Sequence, residues 1–298
     1  MATSFADLKK SRNADLEKLT SEISKLGNKE EGKKSYEDTR FWKPTVDKAG
    51  NGFATIRFLP APAGEDVPWV QVFSHSFQGP GGWYIENSLT TLNKKDPVSE
   101  HNTVLWNSGV EANKDIARKQ KRKLQYIANV YIIKDAANPD NDGTVRLFKF
   151  GKKIFDKLND MMNPEFEDET PVNPFDLWEG ANFKLKIRKV EGYQNYDKSE
   201  FESPAPLSQD EDDLEKIWKS EHLLSEFLSE KNFKSYDELK ARLNKVLGLE
   251  GGGEYAEAVA KPSAPIQAPV AKPKTTVEQS SKFDDEDDVS YFEKLAED

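Results

Sequence analysis

Residues 121–158, KRKLQYIANVYIIKDAANPDNDGTVRLFKFGKKIFDKL, leave little choice of local fold. The run from Tyr126 to Lys134 is rich in β-branched and aromatic side chains and predicts a strand. AANPDNDG then breaks it, with Pro139, Asn141, Asp142 and Gly143 supplying turn chemistry. VRLFKF is the returning strand, and GKKIFDKLNDMM predicts a helix with Ile154, Phe155, Leu158 and Met162 on one face. Cations frame this β-hairpin: Lys121, Arg122 and Lys123 precede it, while Arg146, Lys149, Lys152 and Lys153 lie on and after its second strand. From Lys114 to Lys153 eleven Lys/Arg stand against four Asp, a net +7 inside a chain of net −10. A basic, aromatic-laced hairpin in an acidic protein is what a functional reading must explain.

The acidity is unevenly spread. Residues 1–201 are near neutral at +1, residues 202–253 carry −5 and residues 254–298 carry −6. Nucleic-acid binding follows local charge, so the overall acidity does not argue against it. There are no cysteines, which excludes disulfides and thiolate zinc sites. No apolar run approaches membrane-span length and no signal-peptide core opens the chain, so a soluble intracellular protein is expected.

In chain order, residues 1–32 read as an arm and linker. Phe5, Leu8, Leu16, Leu19, Ile23 and Leu26 recur at helical spacing before Gly27, and GNKEEGKKS is polar. Residues 33–250 form the globular part. DKAGNGFATIRFLP alternates Ala54, Ile56 and Phe58 against Thr55 and Arg57. Further short strands, Trp69–Phe73 and Trp83–Glu86, are separated by Gly/Pro turns and favour an antiparallel barrel or sandwich. Residues 89–113 read as irregular, with Trp83, Leu89, Leu92, Leu105 and Trp106 as a small core for a subdomain over about 75–113. FKLKIRKVEGYQNY alternates Phe183, Leu185 and Ile187 inward against Lys184, Lys186 and Arg188 outward, with Tyr193 and Tyr196 just beyond. Two helices are expected near 212–229 and 235–247, the second opening on a Ser235/Glu238 capping box. Residues 251–298 are an Ala/Pro/Lys-rich linker followed by an acidic end that carries Phe283, Tyr291, Phe292 and Leu295.

No phosphate-cradling glycine loop, paired-histidine metal motif or serine-nucleophile elbow occurs, so the chain reads as a non-enzyme. Cations along a hairpin neutralise phosphates while aromatic faces stack unpaired bases. Each cation alone is ordinarily a solvated face, and each aromatic alone ordinarily packs in a core. Their coincidence at one hairpin points to single-stranded nucleic acid.

DKAGNGFATIRFLP, HSFQGPGGWYIE, KRKLQYIANVYIIKDAANPDNDG, FKFGKKIFDKLNDM and WEGANFKLKIRKVEGYQNYDKSEF resemble the replicative single-stranded DNA-binding (helix-destabilising) proteins of T-even-like bacteriophages. The resemblance implies a mainly β fold with α elements. Its centre is an OB-fold, an antiparallel five-stranded barrel, with a small subdomain and accessory helices. It places Lys121, Arg122, Lys123 and Tyr126 in a DNA cleft, matches Phe148 to a family aromatic, and sets Tyr193 and Tyr196 on the family's aromatic pair. Lys9, Lys10, Ser11 and Arg12 resemble the arm that the family uses for cooperative self-assembly. The acidic end resembles its tail, which engages replication and recombination proteins in the infected bacterial cytoplasm. Family members often hold zinc by one His and three Cys. Here His75 stands in the matching block and Asn87 occupies the first Cys position, so no cofactor is expected. A single-stranded RNA-binding or translational-regulatory protein, and a scaffold acting through its acidic tail, are the rival readings.

Overall fold

The computed structural model describes residues 38–166 and 168–249, and all but the first two belong to one compact unit beginning at Arg40. The expected arm with Lys9, Lys10, Ser11 and Arg12, its linker, and the acidic tail lie outside the described residues.

Fold class is mixed α/β, built on one large sheet. Its strands are β1 (Phe41–Trp42), β2 (Gly52–Phe58), β3 (Trp69–Gly79), β4 (Gly82–Asn87), β5 (Lys123–Asp135), β6 (Val145–Phe150), β7 (Phe183–Val190), β8 (Tyr193–Asn195) and β9 (Glu200–Phe201). The helices are α1 (Pro97–Asn107), α2 (Glu111–Gln120), α3 (Lys152–Met162), α4 (Glu211–Lys219) and α5 (Tyr236–Leu247). The thirteen-residue β5 organises the sheet. Along one edge it pairs first with β3 (Lys123 to Ala128) and then with β2 (Val130 to Asp135), while β6 takes the other edge. The path β1-β6-β5-β2-β7-β8 stays open rather than closing into a five-stranded barrel. The outer edge of β7 is already used by β8 and β9, and β1 lies parallel on the outer edge of β6.

One face of the sheet buries Ile56, Phe58, Val130, Ile132, Phe148, Phe183 and Leu185, with Ile154 and Leu158 of α3 closing over it. The alternation expected in β2 and β7 is therefore present. On the other side of β2, Arg57 is fully buried rather than solvated. Its guanidinium donates to Asn182 Oδ1 (3.0 Å), the Asp176 carbonyl (3.0 Å) and the Ala205 carbonyl (2.7 Å), clamping three loop segments. Burial lowers its pKa to about 10, against the charges of Asp176 and Glu202.

Residues 89–113, expected to be irregular, contain α1 and lead into α2. Asp96 is the N-cap of α1, its carboxylate accepting from the N–H groups of Val98 (3.0 Å) and Ser99 (3.1 Å), and Pro97 occupies the first turn. Of the core residues expected, Leu89 is in the subdomain core and Leu105 with Trp106 packs on Ala117 in a small cluster of its own. Phe77, Tyr84, Leu89 and Val98 pack on Leu239, Leu243 and Val246 of α5, so the C-terminal helix completes it, whereas Trp83 is 55% exposed. The capping box of α5 is present, and Gly248, at φ 74°, ends the helix. The helix expected over 212–229 stops at Lys219. The Asn129 side chain holds the backbone of His222 from both sides (2.8 and 3.0 Å), and those groups are then lost to a helical ladder.

Candidate nucleic-acid interface

Strand register decides where the cations go. Tyr126 pairs with Phe150 in antiparallel sense. Lys121, Arg122 and Lys123, just before it, therefore come to the same end of the hairpin as Lys152 and Lys153, just after Phe150. The opposite end is acidic, with Asp135, Asp140 and Asp142 about the turn. Arg122 lies over the Phe73 ring at 4.1 Å from its centroid, a cation–π contact that fixes its direction. Arg146 is level with Val130, seven residues and so roughly 20 Å up the strand from Lys123. Lys149 is level with Ile127, on the face opposite Tyr126, over Phe41 at 5.1 Å. The register thus carries Arg146 away from the basic end, while Lys149, one residue before Phe150, stays near that end but is turned to Phe41.

Helix α3 carries the positive charge onward. Lys153 and Lys157 are one turn apart on one helical face, and Lys157 Nζ reaches the Asp197 carbonyl at 3.5 Å. There the second expected cluster begins. Arg188 grips Asp197 in a bidentate pair, Lys186 holds Glu200 at 2.6 Å and Lys184 holds Glu202 at 2.9 Å. The Arg188 guanidinium holds Asp197 below the usual carboxylate range, and the Lys186 ammonium does the same for Glu200. A phosphate approaching this ladder must compete with carboxylates already in place, unlike one approaching the exposed Lys123 or Lys198.

The aromatics divide differently from the expectation. Tyr126 (5% exposed) and Phe148 (3%) are core residues. Tyr126 stacks on Phe155 with ring centroids 4.0 Å apart and planes within 5°, and Phe148 lies against Trp42 at 5.3 Å. Their faces are taken by other rings, so they do not offer a stacking surface to a base. Tyr193 is 48% exposed at a tight turn where both Glu191 (φ 51°) and Gly192 (φ 91°) are left-handed. Tyr196 is half-buried, its pKa raised by burial. Three half-buried rings were read from the sequence only as strand or helix residues: Trp69, Phe73 and Phe155. Gln71 pairs with Tyr126, so period-two alternation puts Trp69 and Phe73 on the same sheet face as Tyr126 and beside the basic end. Nothing in their local spacing separates them from core residues; only the pairing of β3 with β5 does. Lys157 was legible as the residue one turn after Lys153.

The residues around His75 do not fit a thiolate zinc site. His75 is fully buried, its Nδ1 2.9 Å from the Gln120 carbonyl. Its Nε2 lies 3.3 Å from Asp96, within ion-pair range but too poorly aligned to count as a hydrogen bond. Burial pushes the Asp96 pKa up. The contact with His75 and the N–H groups of Ser99 and Leu89 outweigh it and hold the carboxylate below its usual value. Asn87 is turned to the Asn232 carbonyl at 3.2 Å. Among the described residues no group of three His, Asp or Glu side chains converges as metal ligands do.

Among the described residues no helix is long and apolar enough to cross a membrane. Residues 50–247 match the family described as gp32 DNA binding protein like, and the chain belongs to that family. It is 41% identical over 251 residues to the single-stranded DNA-binding protein of Enterobacteria phage T2, covering 82% of this chain and 81% of the relative. The single-stranded DNA-binding protein of Enterobacteria phage T4 is 39% identical over 253 residues (82% and 83% covered). A shorter relative of the same name from Escherichia phage SV14 is 43% identical over 86 residues (28% and 74% covered).

Proposed function

We propose that this protein coats single-stranded DNA without sequence preference during phage replication, recombination and repair, and performs no catalysis. The observation that carries the reading is the continuous basic line from Lys121–Lys123 through Lys152, Lys153 and Lys157 to Arg188 and Lys198, with Phe73 and Tyr193 as its stacking rings. The names of the relatives support the choice of ligand. Lys186 and Tyr196 flank the line. On this reading the hairpin-centred sheet is an opened form of the family's OB-fold. The arm with Lys9, Lys10, Ser11 and Arg12 joins neighbouring copies, the acidic tail recruits replication and recombination proteins, and the work is done in the cytoplasm of the infected bacterium. No cofactor takes part.

Binding to oligo-dT, oligo-rU and duplex DNA over a salt series tests the proposal. Each phosphate contact to a single strand contributes about 0.7 to the log–log salt slope, so Lys153→Gln and Lys157→Gln should each flatten it by about that amount. Preference for oligo-rU would transfer the role to RNA. Duplex preference, or slopes unchanged in both variants, would refute the basic line as the interface.

A further inference from the structure

Lys121 and Arg122 bridge the gap between α2, which ends at Gln120, and β5, which begins at Lys123. Both ends of that bridge are tied to adjacent residues of β3. Lys123 pairs in register with Ser74. The Gln120 carbonyl belongs to the last turn of α2, where a helix cannot satisfy its own acceptors, and it lies 2.9 Å from His75 Nδ1. A carbonyl only accepts, so Nδ1 carries the proton and donates it here. Between the two ties, Arg122 lies over the ring of Phe73, the preceding residue of β3. Phe73, Ser74 and His75, consecutive on one strand, thus set the path of the whole cationic cluster.

The His75 ring is itself held. Its side chain and that of Asp96 are each 1% exposed, with Nε2 facing Asp96 Oδ1 at 3.3 Å. Oδ1 is fixed by the N–H groups of Val98 and Ser99 at the start of α1, and Oδ2 accepts from the Leu89 N–H at 3.0 Å. Position is handed on from α1 through Asp96 and His75 to the end of α2. Burying an imidazole costs more than burying an apolar side chain of its size. What it returns is a fixed point at the peptide that joins Gln120 to Lys121.

We propose that His75 is a positioning residue for single-strand binding: it fixes the end of α2 so that Lys121, Arg122 and Lys123 meet the strand as one rigid cluster. Cations already held in place lose less freedom when phosphates dock on them. The inference deepens the coating function and rests on it.

The test separates the two ring nitrogens in the full chain. Asparagine sets its amide nitrogen where Nδ1 stands, and glutamine sets its own where Nε2 stands. Assayed well below its melting transition, His75→Gln should weaken oligo-dT binding about fivefold, while His75→Asn stays within about twofold of the wild type. Arg122→Gln should weaken the wild-type chain yet add little to His75→Gln, because the group it removes is already displaced. Lys157→Gln, on α3, should keep its full effect in both chains. If His75→Gln does not fold, Asp96→Asn takes its place: it keeps an acceptor for the start of α1 and weakens the hold on the ring, so the same loss and the same coupling to Arg122→Gln are expected. Wild-type binding by whichever of the two folds, or a loss that simply adds to that of Arg122→Gln, overturns the proposal. A Lys157→Gln chain that binds like the wild type overturns instead the basic line on which it rests.

Discussion

Glu221 offers a test of the packing against β5 that needs no nucleic acid. Both its carboxylate oxygens are buried without a hydrogen-bond partner. Its neighbour Glu65 accepts from the N–H groups of Leu224 (3.0 Å) and Ser225 (2.7 Å), which fasten the 224–225 corner. Burial, followed by the charge of Glu65, pushes the Glu221 pKa up to about 8 from an ordinary 4.5. Between those values the folded chain holds a proton that the unfolded chain has released. Stability from this group is complete below pH 4.5 and drains away as pH rises through 8, at up to about 1.4 kcal/mol per pH unit. From pH 5.5 to 8.5 the loss comes to about 3 kcal/mol. Glu221→Gln keeps the shape of the protonated side chain and removes the titration. Urea unfolding of both proteins at pH 5.5, 7.0 and 8.5 isolates the difference, since groups remote from Glu221 titrate equally in each. The variant should overtake the wild type as pH rises. Parallel stability profiles would refute a buried protonated Glu221.

Arg57→Met should destabilise by about 3 kcal/mol or more in urea melts, because it removes three charge-assisted hydrogen bonds of a buried guanidinium at once, to Asn182 and two backbone carbonyls. Tyr126→Ala should lower the melting temperature by removing a buried ring, whereas Phe73→Ala should weaken oligo-dT binding with a smaller effect on melting. Equal effects of the two on binding would show that the burial of Tyr126 does not decide its role. Chelator should leave the melting temperature unchanged, while Asp96→Ala, which removes the cap of α1 and the partner of His75, should lower it. Stoichiometric zinc by elemental analysis would overturn the metal-free reading.

What the sequence made legible was local. The hairpin, α3, the alternation of β2 and β7 and the capping box of α5 each rest on spacing within a dozen residues. Misreadings arose where a distant partner decides. Arg57 stands on the face of β2 opposite Ile56 as its spacing says, but its burial by loops more than a hundred residues away was not legible. Tyr126 follows a KRK cluster, yet Phe155 takes its face. The polar sequence of α1 hid a helix that Asp96 and Pro97 announce. Lys186 and Arg188 were readable as outward cations, but their carboxylate partners, fourteen and nine residues on, required the fold of β8 and β9.

The arrangement of charge along the central hairpin makes it an electric dipole. Five cations gather where β5 begins and β6 ends, and three aspartates cluster about the turn. With β5 thirteen residues long, the two poles are up to roughly 40 Å apart along the strand, several times the Debye length of about 8 Å at physiological salt. Each pole is therefore felt separately by an approaching polyanion. The cationic end is drawn in and the turn is pushed away, so molecules meet a strand already aligned. Such alignment acts on the rate of encounter before any contact forms, and it fades with added salt.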